Sequence, residues 1–434
     1  MTVGVLAAIG HTLGGVAGLW EFYRVATGHH SSTASPTSQA SSRPFRSIAV
    51  LPVRTSATSP DEKELADRVT REVTSMVSRV ARDGYVVSYG LAQKFAEGAV
   101  DPRRVGQELN VRYIVEGRVT PEAGRHQLRI ELIDSLDGSR LWEDQQVLNG
   151  LDALTETIAR IRKGLSVALG SATKKEISSL PKEKRAAWEL LMKAREMGYS
   201  IEDARQAQRL VEEALRIDPT LVPALFTLGA MYWQRAQNEP EARNELAVKL
   251  DDLSNKAVRL APADPRVWSL RSQALRLQFS WSAAFAANDE ALRLDPYRVQ
   301  AIWERAGLLI STGRTEESLP LLDRALTLDP NDDGVLISKC IAYVMLSRDG
   351  EALPLCERGA AIWNNWLMFS VLTAVHANLG NAERSQYWKR RLVEANPKYS
   401  IARAKATRMS DIPEYWRQAE HWADGLRKAG IPEN

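Results

Sequence analysis

The sequence predicts a multidomain protein: a small α/β domain (a mixed sheet with helices on one face), followed by an all-α superhelix of repeated helical hairpins. Three observations predict it. Pro262, Pro296 and Pro330 each end an apolar helical stretch and stand 34 residues apart. Residues 46 to 172 instead alternate short β-rich runs with amphipathic helical stretches. At 434 residues the chain is too long for one ordinary core, so two or three domains are expected.

Residues 1–27 read as a membrane anchor helix. Val3 to Trp20 carries no charge and has only His11 and Thr12 as polar interruptions. As a helix it covers roughly 27 Å, enough for a hydrocarbon core. Gly10, Gly14 and Gly18 recur every four residues, a stripe along which two membrane helices self-associate. No Lys or Arg precedes the run, which argues against a signal peptide, and Arg24, Arg43 and Arg46 follow it. Residues 28–45 are Ser-rich with little to bury, and read as a disordered tether.

Residues 46–172 form the α/β domain. Ser47 to Val53 is an apolar run closed by proline, a buried strand, and Asp61 to Arg82 is an amphipathic helix. Tyr85 to Ser88 reads as a strand, and a helix opens at Asp101-Pro102. Strands follow at Tyr113–Val119, His126–Ile133 and Leu141–Val147, then a helix from about Asp152 to Leu169. Leu128, Ile130 and Leu132 alternate with Arg129 and Glu131, so one sheet face is wet and the other covered. Ser47-Ile48-Ala49-Val50-Leu51-Pro52, Leu65-Ala66-Asp67, Val111 to Gly117, Leu132-Ile133-Asp134 with Asp137-Gly138, and Leu141-Trp142 resemble the TolB-type amino-terminal domain. The resemblance implies the envelope half of CadC-like regulators and of bacterial proteins labelled adenylate cyclase. Arg68 stands where that family usually has glycine, which puts any close ligand approach there in doubt.

Residues 183–397 hold six predicted hairpins. Small residues fall where paired helices cross: Ser272, Ala284 and Ala291; Ala306, Ser318 and Ala325; Cys340, Ala352 and Gly359. With the 34-residue period, this pattern resembles tetratricopeptide repeats. Residues 398–434 resemble the capping helices that cover a last hairpin's stacking face. First helices of such hairpins line a concave surface, and its positions give Phe226, Trp233, Arg266, Gln273, Arg276, Gln300 and Trp303. Aromatics mixed with arginine and amides suit a protein or peptide partner. Cys340 and Cys356 either pair or remain two small buried side chains.

Apolar residues make up 44% and charged residues 26%, with a net charge of +3, so no nucleic-acid partner is expected. No phosphate-binding glycine loop, metalloprotease helix or nucleophile elbow occurs, and no metal ligand set or cofactor site is expected. Neither a cyclase catalytic domain nor a winged helix finds room. The reading is a non-catalytic, membrane-tethered scaffold or sensor that binds a polypeptide in the repeat groove. The alternative is a ligand-responsive regulatory subunit of a separate adenylate cyclase or transcriptional regulator. Its expected place is the bacterial inner membrane, single-pass, with the soluble part periplasmic by family position or cytoplasmic by charge asymmetry.

Overall fold

The computed structural model describes residues 47–434 except 57–58, 82–83, 97–99, 123–124, 149–153, 198–200, 331, 364 and 407–409. Strand β1 (Ile48–Val50) is fully buried and pairs in parallel with β3 (Tyr113–Glu122), as does the short β2 (Arg54–Thr55). Parallel neighbours need a crossover, supplied here by α1 (Pro60–Val80), α2 (Tyr89–Ala92) and α3 (Pro102–Glu108). Ser59 caps α1 by accepting from the Glu62 N–H, and Asp61 and Glu62 stand at its positive end. Strands β3, β4 (Arg125–Asp134) and β5 (Arg140–Leu148) then run antiparallel, giving the order β1-β3-β4-β5.

Strand alternation sorts the side chains. Leu128, Ile130 and Leu132 point to the face covered by α1 and by α4 (Leu154–Ser178), where they meet Val73, Met76, Ile161 and Leu165. Across the sheet, Arg129 and Arg140 pair with Glu131 and Glu143 in water. At β1 this second face acquires its own cluster, in which Ala49 and Leu51 pack on Phe95, Val105 and Leu109. The run at 85–88, expected as a strand, makes one parallel bridge from Val86 to Ile48. Its Ser88 turns away to cap α2.

Six helical pairs follow among the described residues. They are α5 (Lys182–Arg195) with α6 (Ile201–Ile217), α7 (Val222–Asn238) with α8 (Arg243–Leu260), and α9 (Pro265–Leu277) with α10 (Trp281–Leu294). Then come α11 (Val299–Ser311) with α12 (Thr315–Leu328), α13 (Asp333–Met345) with α14 (Asp349–Ile362), and α15 (Trp366–Asn378) with α16 (Ala382–Ala395). Small residues do sit at the crossings: Ala284 and Ala291 are fully buried, and the Ser272 hydroxyl donates to the Ala284 carbonyl at 2.9 Å. Pro219 precedes Pro262 by 43 residues rather than 34, because α7 and α8 have 17 and 18 residues, against 13 and 14 in α9 and α10. A basic stretch runs from Lys174 to Arg185. It spans the end of α4 and the start of α5, and Arg185 donates to the Ser178 carbonyl at 2.8 Å.

The C-terminal segment forms α17 (Ile401–Ala406) and α18 (Pro413–Lys428). Helix α18 packs across α15 and α13, the first helices of the last two hairpins. Its buried stripe is small (Ala419, Ala423, Gly425), and a Cβ on Gly425 would lie 2.6 Å from the Ala374 carbonyl oxygen. Close approach to α15 therefore needs this glycine.

One expectation is overturned. No helix among the described residues is long and apolar enough to cross a membrane. The predicted anchor at 3–20, its Gly10, Gly14 and Gly18 stripe, and the tether at 28–45 lie outside the described residues. The single-pass inner-membrane placement is corrected accordingly, on both the periplasmic and the cytoplasmic version.

Cys340 and Cys356 are disulfide-bonded, with Cα atoms 5.3 Å apart, tying α13 to α14 inside a fully buried core. In the chain-entropy picture a loop of this length contributes about 3 kcal/mol. Reduction under denaturant, or the pair Cys340→Ala with Cys356→Ala, is expected to lower unfolding stability on that order, measured by urea titration with and without dithiothreitol.

Candidate functional site: the inner face of the repeat array

The inner face begins where the α/β domain meets the turns between hairpins. Asp295 closes the third hairpin and is wholly buried, and both the hydroxyl and the N–H of Ser88 donate to its carboxylate. One turn further along, the Ser75 hydroxyl lies 3.2 Å from both carboxylate oxygens of Asp329. Gly90 lets the domain close on Tyr297, since a Cβ there would come within 2.2 Å of that ring. Arg266 is buried, grips Asp264 at 2.6 Å, and lies over the rings of Tyr85 and Phe226. Burial drives the Tyr85 phenol well above its ordinary range. Between the domains a polar cavity of about 210 Å³ remains, lined by Arg71, Ser75, Tyr89, Arg298 and Asp329 among others.

Further in, α7, α9 and α11 lie side by side. The buried Glu304 on α11 accepts from Gln273 Nε2 at 2.6 Å and Gln300 Nε2 at 3.2 Å, with the Ser269 hydroxyl beside it. Burial raises the Glu304 carboxyl above the usual range. Trp303 donates its indole N–H to Ser338 at 2.6 Å, bridging α11 to α13. Arg276 differs from its neighbours. Its guanidinium sits 5.4 Å from the Trp233 ring, against Gly307, and makes no ion pair or hydrogen bond among the described residues, although Tyr415 and Glu304 act on it electrostatically. Burial lowers its pKa to about 10, still far above neutrality, so the group stays charged.

The far edge of the face is closed by the chain itself. Ser410 donates to the Ser311 carbonyl at 2.6 Å, Gln418 Nε2 to the Gly313 carbonyl at 2.8 Å, and Trp281 to Asp411 at 2.8 Å. Tyr415 of α18 reaches the neighbourhood of Arg276, and burial pushes its phenol up to about 12.

All seven residues singled out from sequence therefore belong to first helices of the second, third and fourth hairpins. Arg266, Gln273, Gln300 and Trp303 are engaged by other side chains of the protein. Phe226 is half-buried beneath Arg266, while Trp233 and Arg276 form a stacked pair. Sequence reading missed Glu304, Tyr415 and the Ser88–Asp295 contact. A carboxylate set among Ala301, Ile302 and Ala306 was the available signal for Glu304, whereas Tyr415 and Ser88 gave none, because their partners are remote in the chain.

Residues 44–163 match the profile of the HilA/YgeH-like transcriptional regulator, second domain, which covers well under half of the chain and is named differently from the TolB-type domain it resembled. A Rhizobium meliloti protein provisionally labelled adenylate cyclase 3 is 28% identical over 201 residues, covering 45% of this chain and 34% of that one. The TPR repeat-containing protein YpiA of Bacillus subtilis is 28% identical over 142 residues, covering 32% and 31%. The match thus spans about a third of each relative's length. Among solved structures, PilW, a type IV pilus biogenesis factor, is similar at a TM-score of 0.39 and 16% identity, covering 51% of this chain and 96% of that one. The fold is a small mixed-sheet domain followed by a tetratricopeptide-type helical array.

A raised Glu304 pKa means the folded state holds its proton more tightly than the unfolded chain. Its contribution is therefore most favourable at low pH and is lost as pH rises from the ordinary carboxylate value through the folded one. Glu304→Gln keeps an acceptor for both amides and removes the charge. It is expected to stabilise the protein at pH 7, with the gain shrinking toward pH 4, read from urea unfolding at both values.

Proposed function

We propose that this chain is a non-catalytic tetratricopeptide-type scaffold that takes a polypeptide partner on the inner face of its second to fourth hairpins, with Trp233 and Arg276 as the principal contacts. Arg276 carries the reading. A charged guanidinium held on an indole, with Glu304 near enough to act on it but no carboxylate at ion-pair distance among the described residues, is a group that can still take an acceptor, and arginine and tryptophan are the residues most enriched at interface hot spots. Phe226 and the outward edges of Gln273, Gln300 and Trp303 would complete the contact. The repeat relatives are consistent with such a role.

The test is affinity capture with the full chain and with Arg276→Glu or Trp233→Ala. A hot-spot contact of about 2 kcal/mol predicts roughly 30-fold weaker retention of the partner by either variant. A partner retained equally by both, at unchanged thermal stability, would exclude the inner face.

A second reading has its own observation. The regulator-type match covers the α/β domain, and the 210 Å³ polar cavity lies where that domain meets the array. A small polar ligand held there would join the two parts and make the chain a regulatory element for a separate cyclase or transcription factor. Thermal-shift screening of small polar metabolites is the check. A ligand whose stabilisation disappears in Arg298→Ala supports it, and a screen without such a ligand argues for the scaffold alone.

A further inference from the structure

We propose that the trough between strand β5 and helix α4 binds an extended peptide segment in which apolar and acidic residues alternate, and that this segment adds to the sheet as a new edge strand.

The sheet ends at β5, whose strand partner among the described residues is β4 alone. The Gln145 N–H donates to Asp144 Oδ1 at 2.8 Å instead of to β4. Because the two edges of an antiparallel strand alternate, the N–H groups of Glu143 and Val147 point the same way, out of the sheet. Such a row of donors is a template for another strand. It is guarded at one place: Asp144 occupies the Gln145 donor and also accepts from Gln146 Nε2 at 3.0 Å.

Beside this edge runs an open trough of about 630 Å³, with Trp142 and the small residues of α4 as its floor. The indole packs against Gly164, where a Cβ would come within 2.8 Å of Cζ2. Apolar surface is left to solvent around it: Val167 is 67% exposed and Leu141 38%. A strand added to β5 would run beneath the overhang of α4. Every second side chain would enter the trough, and the others would stand on the wet face.

Charge selects the occupant. Lys163 and Lys175 line the trough and have no acidic partner among the described residues, whereas Arg160 is held by Glu156 at 2.9 Å. An acidic segment therefore meets two unneutralised cations. A second copy of this chain fits less well, since its β5 brings Arg140 and Glu143 already paired to each other and sets Asp144 against Asp144 in the central register. A lipid surface fits less well because the apolar groups line a concavity.

The experiment selects random dodecapeptides displayed on phage against the full chain, then measures one selected peptide, fluorescein-labelled, by anisotropy. Alternating apolar and acidic residues are expected among the selected sequences. Val167→Asp, or Lys163→Glu with Lys175→Glu, should weaken the peptide at least tenfold; all three sites are on the surface, so folding is checked simply by an unchanged melting curve. Asp144→Ala frees the guarded donor and should tighten binding several-fold. Hydrogen exchange at Glu143 and Val147 should slow when peptide is bound. Arg276→Glu should leave the affinity unchanged, which separates this site from the inner face of the repeats. The proposal is overturned by selected peptides that ignore the trough substitutions, by a chain dimer that those substitutions dissociate, or by binding to phosphatidylglycerol vesicles with no peptide selected.

Discussion

A carboxylate shut away from water must find donors, and Asp295 finds them on the other domain. Ser88 reaches it from the turn before α2, while Ser75 of α1 does the same for Asp329 one repeat later. Pulling the α/β domain away would strip Asp295 of the Ser88 donors and leave it only the Tyr297 N–H, a loss of roughly 1–3 kcal/mol for a buried group. Gly90 admits the Tyr297 ring at the same boundary, so shape and polarity fix one docking angle. What the repeats can present to a partner depends on this junction, because it closes one edge of their inner face.

The other edge is closed by α18. Its stripe of alanines and Gly425 lets it lie close against α15, and its amide and hydroxyl neighbours take up carbonyls at the ends of α11 and the following turn. Between the two closures, the side chains of α9 and α11 largely serve one another through Glu304. A charged acid placed there is costly alone, and two amide donors moderate the cost. Arg276 stands apart, with an aromatic face beside it and no carboxylate at ion-pair distance among the described residues. Both proposed contact surfaces, this one and the β5 edge, share a physical logic: cations without an ion pair among the described residues next to apolar surface, which a polypeptide bearing acid and hydrophobe together could satisfy.

The period and the strand alternation could be read from the chain because both are local. Proline disfavours a helix interior, although Pro320 and Pro354 lie within helices here, and small residues suit each crossing, so Pro262, Pro296 and Pro330 at a fixed spacing with Ala284, Ala291 and Ala325 marked the hairpins directly. Leu128, Ile130 and Leu132 likewise showed which way the sheet faces. By contrast Tyr85–Ser88 has the composition of a strand, yet it serves mainly as a junction, since tertiary hydrogen bonds there outweigh β-propensity.

The sequence by itself determined the hairpin array, the facing of the sheet's second long strand and the set of first-helix positions, because each follows from spacings of one repeat or less. Only the tertiary structure decided that Cys340 and Cys356 are joined, that Gln273 and Gln300 turn inward to Glu304, and that α18 lies across the inner helices. Those outcomes rest on contacts between residues far apart in the chain or on different helices. The choice among alternative partners there is made by packing geometry, which no local pattern encodes.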